Sequence, residues 1–209
     1  MHHGMMMVTL MLAVVVGACG DSSSPSSKQE AAGSAGKSST QPPSFAEYQV
    51  SERQKKADSG DAAAQYELGW MYAKGEGVPK DAAKAVEWYR KAAAQGHAYA
   101  QLNLGIMYYK GEGVPKDEAK ARDWYQKAAA QGDAIAQYNL GVMYHNGQGV
   151  PKDTAKAVEW TQKAAAQGNA NAQYNLGMAY AYGDGISKDA AKAVEWYQKA
   201  AAQGNAIAQ

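Results

Sequence analysis

A 36-residue unit dominates the chain, running from Ala62 to His97 and returning with few changes at Ala98–Asp133, Ala134–Asn169 and Ala170–Asn205. A tandem period of that length constrains the architecture more than any other feature. Each unit is one supersecondary element that cannot bury its apolar face alone, so neighbours must stack to form a core. Each copy reads as a helix carrying A-x-A-Q-x-x-L-G-x-x-Y, a glycine-rich connection such as Gly75-Glu76-Gly77-Val78-Pro79-Lys80-Asp81, and a second helix carrying A-K-A-x-x-W-x-x-K-A-A-A-Q-G. Four copies in register predict an all-α solenoid of helical hairpins whose core is shared between neighbours.

Comparison of the copies separates positions that the architecture pins from positions that it leaves free. In the first helix Ala64, Gln65, Leu68, Gly69 and Tyr72 recur in every copy, and their spacing puts them on one packed face. The recurring glycine, at 69, 105, 141 and 177, costs about 1 kcal/mol against alanine inside a helix, so close helix approach is its expected reason. In the second helix Ala85, Trp88 and Ala92 share a stripe, which makes Trp88, Trp124, Trp160 and Trp196 core anchors. Asp61, Asp133, Asn169 and Asn205 stand after a glycine and are expected to cap the next helix, with His97 a weaker cap in the same place. Asp81, Asp117, Asp153 and Asp189 are expected to cap the second helices. Glu87–Lys91, Asp123–Lys127, Glu159–Lys163 and Glu195–Lys199 have the i, i+4 spacing of surface ion pairs, a solvated face and not a catalytic carboxylate pair.

The positions that vary among the copies make a second stripe on the first helices. It includes Tyr66 and Trp70, then Tyr99, Leu102, Ile106 and Tyr109, then Tyr138, Val142 and His145, then Tyr174 and Met178. Their i, i+3, i+7, i+10 spacing places them away from the packed residues. The mix of Tyr, Trp, Met and Ile matches that of binding hot spots, although Tyr66, Leu102, Tyr138 and Tyr174 also suit packing against the neighbouring repeat.

Ahead of the repeats the composition changes twice. Residues 45–61 read as a half-repeat: sliding them by 36 places Val50 on Val86, Ala57 on Ala93 and Gly60 on Gly96, while Glu52 replaces the tryptophan. That is a polar N-terminal cap helix for a solenoid spanning 62–209. Residues 20–44 are Ser, Gly, Ala, Gln and Pro with hardly a large apolar side chain, a disordered tether with a reach of roughly 25–30 Å. Gly36-Lys37-Ser38 and Ser34-x-x-Lys37 within it lack the strand or helix that phosphate-loop or serine–lysine chemistry requires. The G-E-G-V-P-K loops sit between two helices and read as tight hairpins, not phosphate cradles.

Residues 1–19 hold a short apolar run, Met5 to Val16, too short to span a bilayer and suited to a signal peptide. Val16-Gly17-Ala18-Cys19 resembles a bacterial lipoprotein signal motif, which implies that Cys19 is lipidated and tethers the protein to a lipid bilayer. The implied location is periplasmic and lipid-anchored, at the outer membrane rather than the inner. An ordinary secretory signal cut near Ala18 is the alternative. Lys+Arg 21 against Asp+Glu 20 leaves a formal charge of +1, no basis for nucleic-acid binding, and a single cysteine excludes an internal disulfide framework. No cofactor and no metal site are expected. At the other end Ala206-Ile207-Ala208-Gln209 begins a fifth copy, which implies either a truncated array or an exposed last hairpin.

The A-x-A…L-G-x-x-Y…G-x-G-V…D-x-x-K-A-x-x-W-x-x-K-A-A-x-x-G pattern resembles the Sel-one-like repeat, a relative of the tetratricopeptide repeat. Copy four departs from it with Ile186-Ser187 in place of Val-Pro, which puts that loop's rigidity in doubt. The resemblance implies a right-handed α-solenoid and a non-catalytic scaffold or adaptor that binds a protein or peptide in a concave groove, lined by the variable stripe. Exported cysteine-rich members of the family are associated with penicillin binding or β-lactamase activity, which keeps open an alternative of cell-wall glycan binding or β-lactam hydrolysis. Those members carry a cysteine pair in each repeat; this chain carries none, and outside its tether and cap its only serine is Ser187.

Overall fold

The computed structural model describes residues 45–204, with side chains from Tyr48 onward. Cys19, the segments 1–19 and 20–44, and the start of a fifth copy at 206–209 lie outside the described residues. Within them the chain is helical throughout: α1 (Phe45–Asp58), α2 (Ala62–Lys74), α3 (Ala82–Ala94), α4 (Ala98–Lys110), α5 (Glu118–Ala130), α6 (Ala134–Asn146), α7 (Thr154–Ala166), α8 (Ala170–Tyr182) and α9 (Ala190–Ala202). Each helix packs on the one before and the one after it, so contacts run along a single axis as a solenoid requires.

Local chemistry sets the boundaries. The carboxylates of Asp61 and Asp133 accept from backbone N–H groups of Ala64 and Ala136 at 2.7 Å, and Asn169 accepts from Ala172 at 2.9 Å. His97 fills the same position through Nδ1, which accepts from Ala100 N–H at a longer 3.3 Å, the weaker cap that its residue type implies. Asp81, Asp117, Asp153 and Asp189 cap the second helices at 2.9–3.0 Å. The first helices stop at Gly75, Gly111, Gly147 and Gly183, each in the left-handed conformation that a glycine C-cap supplies. Each hairpin is then closed by a backbone bond such as Asp81 N–H to Tyr72 C=O at 2.9 Å. The corresponding bond from Asp189 to Tyr180 is also 2.9 Å, so the loop with Ile186-Ser187 closes like the others.

The second glycine of each loop has a packing role. A Cβ on Gly149 would stand 2.5 Å from the carbonyl oxygen of Glu118, at the start of the preceding repeat's second helix, and Gly149 has φ +64°. Arg122 donates to the Gly149 carbonyl at 3.1 Å across the same junction. The loop therefore lies flat on the previous helix start, and its glycines serve that contact.

A glutamine ladder stitches the repeats. Buried Gln65, Gln101, Gln137 and Gln173 each donate to the carbonyl of the residue eight before, at the end of the preceding second helix, at 3.0–3.3 Å. Each then accepts at 2.7–2.8 Å from the glutamine thirty residues on: Gln95, Gln131, Gln167 and Gln203. Each buried carboxamide thus pairs its nitrogen with the preceding helix and its oxygen with the end of the following one, which fixes the register between hairpins.

Two expectations are corrected in detail. Trp88 is buried, but Trp124, Trp160 and Trp196 are half-buried. The lysines of the expected i, i+4 pairs lie over these indoles instead: Lys91, Lys127, Lys163 and Lys199 sit 3.6, 4.0, 4.2 and 4.0 Å from the ring centroids of Trp88, Trp124, Trp160 and Trp196. A ring quadrupole three residues away, one turn back, attracts the ammonium more than a solvated carboxylate does.

The recurring helix glycine answers to a side chain as well as to backbone. A Cβ on Gly69, Gly105 or Gly177 would stand 2.6–2.7 Å from the ring of Tyr89, Tyr125 or Tyr197 on the partner helix. In three copies the glycine is thus a seat for a tyrosine ring. In the third copy the partner is Thr161, whose Oγ1 would be 2.6 Å from a Cβ on Gly141.

Candidate functional site

The variable stripe does not stand clear of the core as one surface. Leu102, Ile106, Tyr138 and Val142 are buried, and the expectation that they contact a partner is corrected: they pack into the hydrophobic clusters between repeats. Where a stripe position carries a medium-sized or well-seated side chain, stacking neighbours close over it. Tyr138 turns its hydroxyl to Asn175 of the next repeat's first helix. The remaining candidates stay partly open and fall into separate groups.

The first group surrounds His97. Its imidazole stacks on Tyr66 with centroids 4.6 Å apart, and Tyr99 lies 6.1 Å from Tyr66 and 6.2 Å from His97. Tyr99 is 60% exposed, capping an aromatic layer whose inner member, Tyr89, is buried. Burial pushes the His97 imidazole below its ordinary range, and burial likewise raises Tyr89 well above the ordinary phenol range. The layer presents one exposed phenol, that of Tyr99.

Trp70 belongs to a second group at the N-terminal end, in a depression lined also by Gln49, Val50, Arg53, Glu67 and Met71. Arg53 Nε donates to Glu67 at 2.9 Å there. Tyr109 is half-buried and accepts from Gln148 Nε2 at 2.8 Å, with Lys116 over its ring at 5.7 Å, so it is tied into the next repeat's loop. Tyr174 is half-buried against Tyr197, 5.6 Å between centroids.

His145 and Met178 meet in a third place. They line a pocket of about 230 Å³ between α6, α7 and α8, together with residues that the sequence reading did not single out: Thr161, Asn175, Tyr182 and Asp184. His145 Nδ1 is 3.5 Å from Asp184 at the mouth, and Tyr182 is 73% exposed. The signal for this pocket was present in the copies, since Thr161 stands in the column held by Tyr89, Tyr125 and Tyr197. Among the described residues no cluster of three or more His, Cys, Asp or Glu could hold a metal ion, and no helix is long and apolar enough to cross a membrane.

Comparison with known proteins fits this geometry. The Sel1 repeat family matches residues 62–97, 98–133, 134–169 and 170–205. A protective antigen of uropathogenic Escherichia coli with an SLR fold is 48% identical, with a TM-score of 0.74, over 76% of this chain and 34% of its own. A Sel1 repeat protein from Oxalobacter formigenes is 40% identical, with a TM-score of 0.73, over 78% of this chain and 64% of its own. Cysteine rich protein B of Helicobacter pylori is 27% identical, with a TM-score of 0.50, over 62% of this chain and 92% of its own. The chain thus spans about a third of the first of these proteins and under two thirds of the second. Among curated proteins none matches.

Proposed function

Because the chain belongs to the Sel1-repeat family, whose members typically mediate protein–protein interactions, we propose that it is a non-catalytic scaffold that holds a protein or peptide along its first helices. The observation that carries this reading is the exposed Tyr99 over the His97–Tyr66 layer, with partly open Trp70 and the His145–Met178 pocket as separate sites on the other first helices. A rigid aromatic with two rotatable bonds gives large contact area at small entropic cost. Solenoids offer such residues on one extended face, and a segment laid across several repeats engages all of them. His97 is engaged as a helix cap and His145 faces Asp184, so each histidine has a local role, and the hydrolytic alternative gains nothing from them.

The same reading places the solenoid in a bacterial envelope, tethered through an acylated Cys19. What supports it is the Val16-Gly17-Ala18-Cys19 sequence. Cys19→Ser is expected to shift the protein from the detergent-soluble membrane fraction to the soluble periplasm, and unchanged fractionation removes the anchor. For the groove, the test is affinity capture from envelope extracts with the parent and with the double variant Trp70→Ala, Tyr99→Ala. Tyr99 is exposed and leaves no core cavity, whereas Trp70 is half-buried against two core clusters, so the variant is expected to keep its helicity, to melt somewhat lower and to lose the captured partner. Retained capture by the folded variant would place the binding surface elsewhere.

A further inference from the structure

The pocket beside Thr161 points to a specific guest. In copies one, two and four, a tyrosine ring from the second helix fills the space against the helix glycine, at 2.7, 2.6 and 2.7 Å from the Cβ position of Gly69, Gly105 and Gly177. In copy three Thr161 takes the place of that ring: its Oγ1 is 2.6 Å from the Cβ position of Gly141, and the space beyond the hydroxyl lacks the ring that fills it elsewhere. The space remains partly open: a pocket of about 230 Å³ is bounded by Gly141, Val158 and Thr161 on one side and Asn175 and Met178 on the other. An apolar cavity of about 150 Å³ suffices for benzene. The hydrophobic core divides at the same place, with Leu140 and Met143 in one cluster and Tyr138, Val142 and Val158 in the next.

The polar lining matches a phenol. In the first junction the hydroxyl of Tyr89 bonds Asn103 of the following first helix, whereas at the second the buried Tyr125 hydroxyl and Asn139 carboxamide are left unpaired. Asn175 is the corresponding residue at the third junction and lines the pocket, where Tyr138 reaches it from a different helix. A carboxamide carries more hydrogen-bonding capacity than one phenol uses. The Thr161 hydroxyl donates to the Ala157 carbonyl at 2.7 Å and turns no free donor into the space.

We propose that this pocket is a binding site for a phenolic ring, the tyrosine side chain of a peptide lying across repeats three and four, which takes the place of the tyrosine that the third repeat lacks. The proposal rests on the peptide-groove reading for its natural ligand, since His145 and Met178 connect the pocket to the variable stripe. The pocket itself can be tested apart from any partner.

The probe is p-cresol, titrated into the full chain and followed through the methyl resonances of Thr161, Val158 and Met178. Saturable shifts with a dissociation constant of about 1 mM or lower are expected, together with intermolecular NOEs from the ring protons to the Thr161 and Val158 methyls. Thr161→Tyr supplies the ring covalently and is expected to abolish the shifts; Asn175→Ala is expected to bring p-cresol down to the affinity of toluene. Absent NOEs, or equal shifts in the parent and in Thr161→Tyr, would overturn the site even if the second variant were unfolded, because the NOEs are read in the parent. Positive p-cresol binding with failed capture keeps the pocket and removes the groove. Failed p-cresol binding with successful capture does the reverse.

Discussion

Gly105→Ala and Gly141→Ala are the same substitution at equivalent positions, and the structure gives them different outcomes. At position 105 the new Cβ meets Tyr125 Cε1 at 2.6 Å, roughly 1 Å inside an ordinary carbon–carbon contact of about 3.5 Å. Tyr125 is fully buried, so its ring has nowhere to go, and overpacking of this kind costs about 1–3 kcal/mol. Alanine gains about 1 kcal/mol over glycine in a helix, which leaves a net destabilisation of roughly 0–2 kcal/mol. At position 141 the clash is with Thr161 Oγ1 at 2.6 Å, a small group that borders a pocket and can rotate away. Its bond to Ala157 is then lost, about 0.5–1.5 kcal/mol, which the helix gain offsets.

The two variants are therefore expected to differ by about 1 kcal/mol, the middle of that range, with Gly141→Ala near the parent. At ~2–4 °C per kcal/mol for a chain of this size, the gap in Tm is about 2–4 °C. A repeat array opens locally, so amide exchange in α4 against α6 is the sharper assay. The backbone contacts of the two glycines, 3.3 Å to Ala121 O and 3.2 Å to Ala157 O, are nearly the same and cancel. Equal losses in both variants would show that the backbone approach, not the tyrosine ring, sets the requirement for glycine.

His97 caps α4 through an unprotonated Nδ1 and its pKa is lowered by burial, so the unfolded chain binds its proton more tightly than the native state. Its contribution is complete above the unfolded value of about 6.5 and fades as pH falls through the lower native one. Relative to His97→Asp, which retains an acceptor, the parent is expected to lose Tm progressively from pH 7 to pH 5; a constant offset across that range would refute the linkage. Gly149→Ala combines a positive φ with a Cβ 2.5 Å from the Glu118 carbonyl. It is expected to cost about 2–5 kcal/mol in chemical denaturation, from a left-handed penalty of roughly 1–2 and backbone overpacking of roughly 1–3. A loss under about 1 kcal/mol would mean that the loop is free to lift from the helix.

Much of the fold was legible because repetition makes the chain its own comparison set. A cap recurring before each first helix, a glycine after it, and Ala-Gln-Leu-Gly at one helical face read directly as helix ends and packed surface. The same comparison misled where it equated variation with exposure. Leu102, Ile106, Tyr138 and Val142 vary in type yet are buried, because a stripe position next to a stacked neighbour tolerates any apolar side chain of suitable volume. Likewise Lys91 and its counterparts had two partners within reach on their own helix, and spacing alone did not choose the indole over the carboxylate.

The third repeat shows what position-by-position comparison recovers only with a structure. Thr161 reads in the sequence as one tolerated change in a column of tyrosines. Its meaning depends on Gly141, twenty residues earlier, where the threonine hydroxyl and the Ala157 carbonyl still crowd the Cβ position although the ring is gone. A glycine kept opposite a missing ring leaves a ring-sized space bordered by Asn175, and such a space between α6, α7 and α8 remains as a pocket unless something fills it. The physical case for a ligand thus rests on the ring that Thr161 omits and on the Asn175 carboxamide beside the space left open.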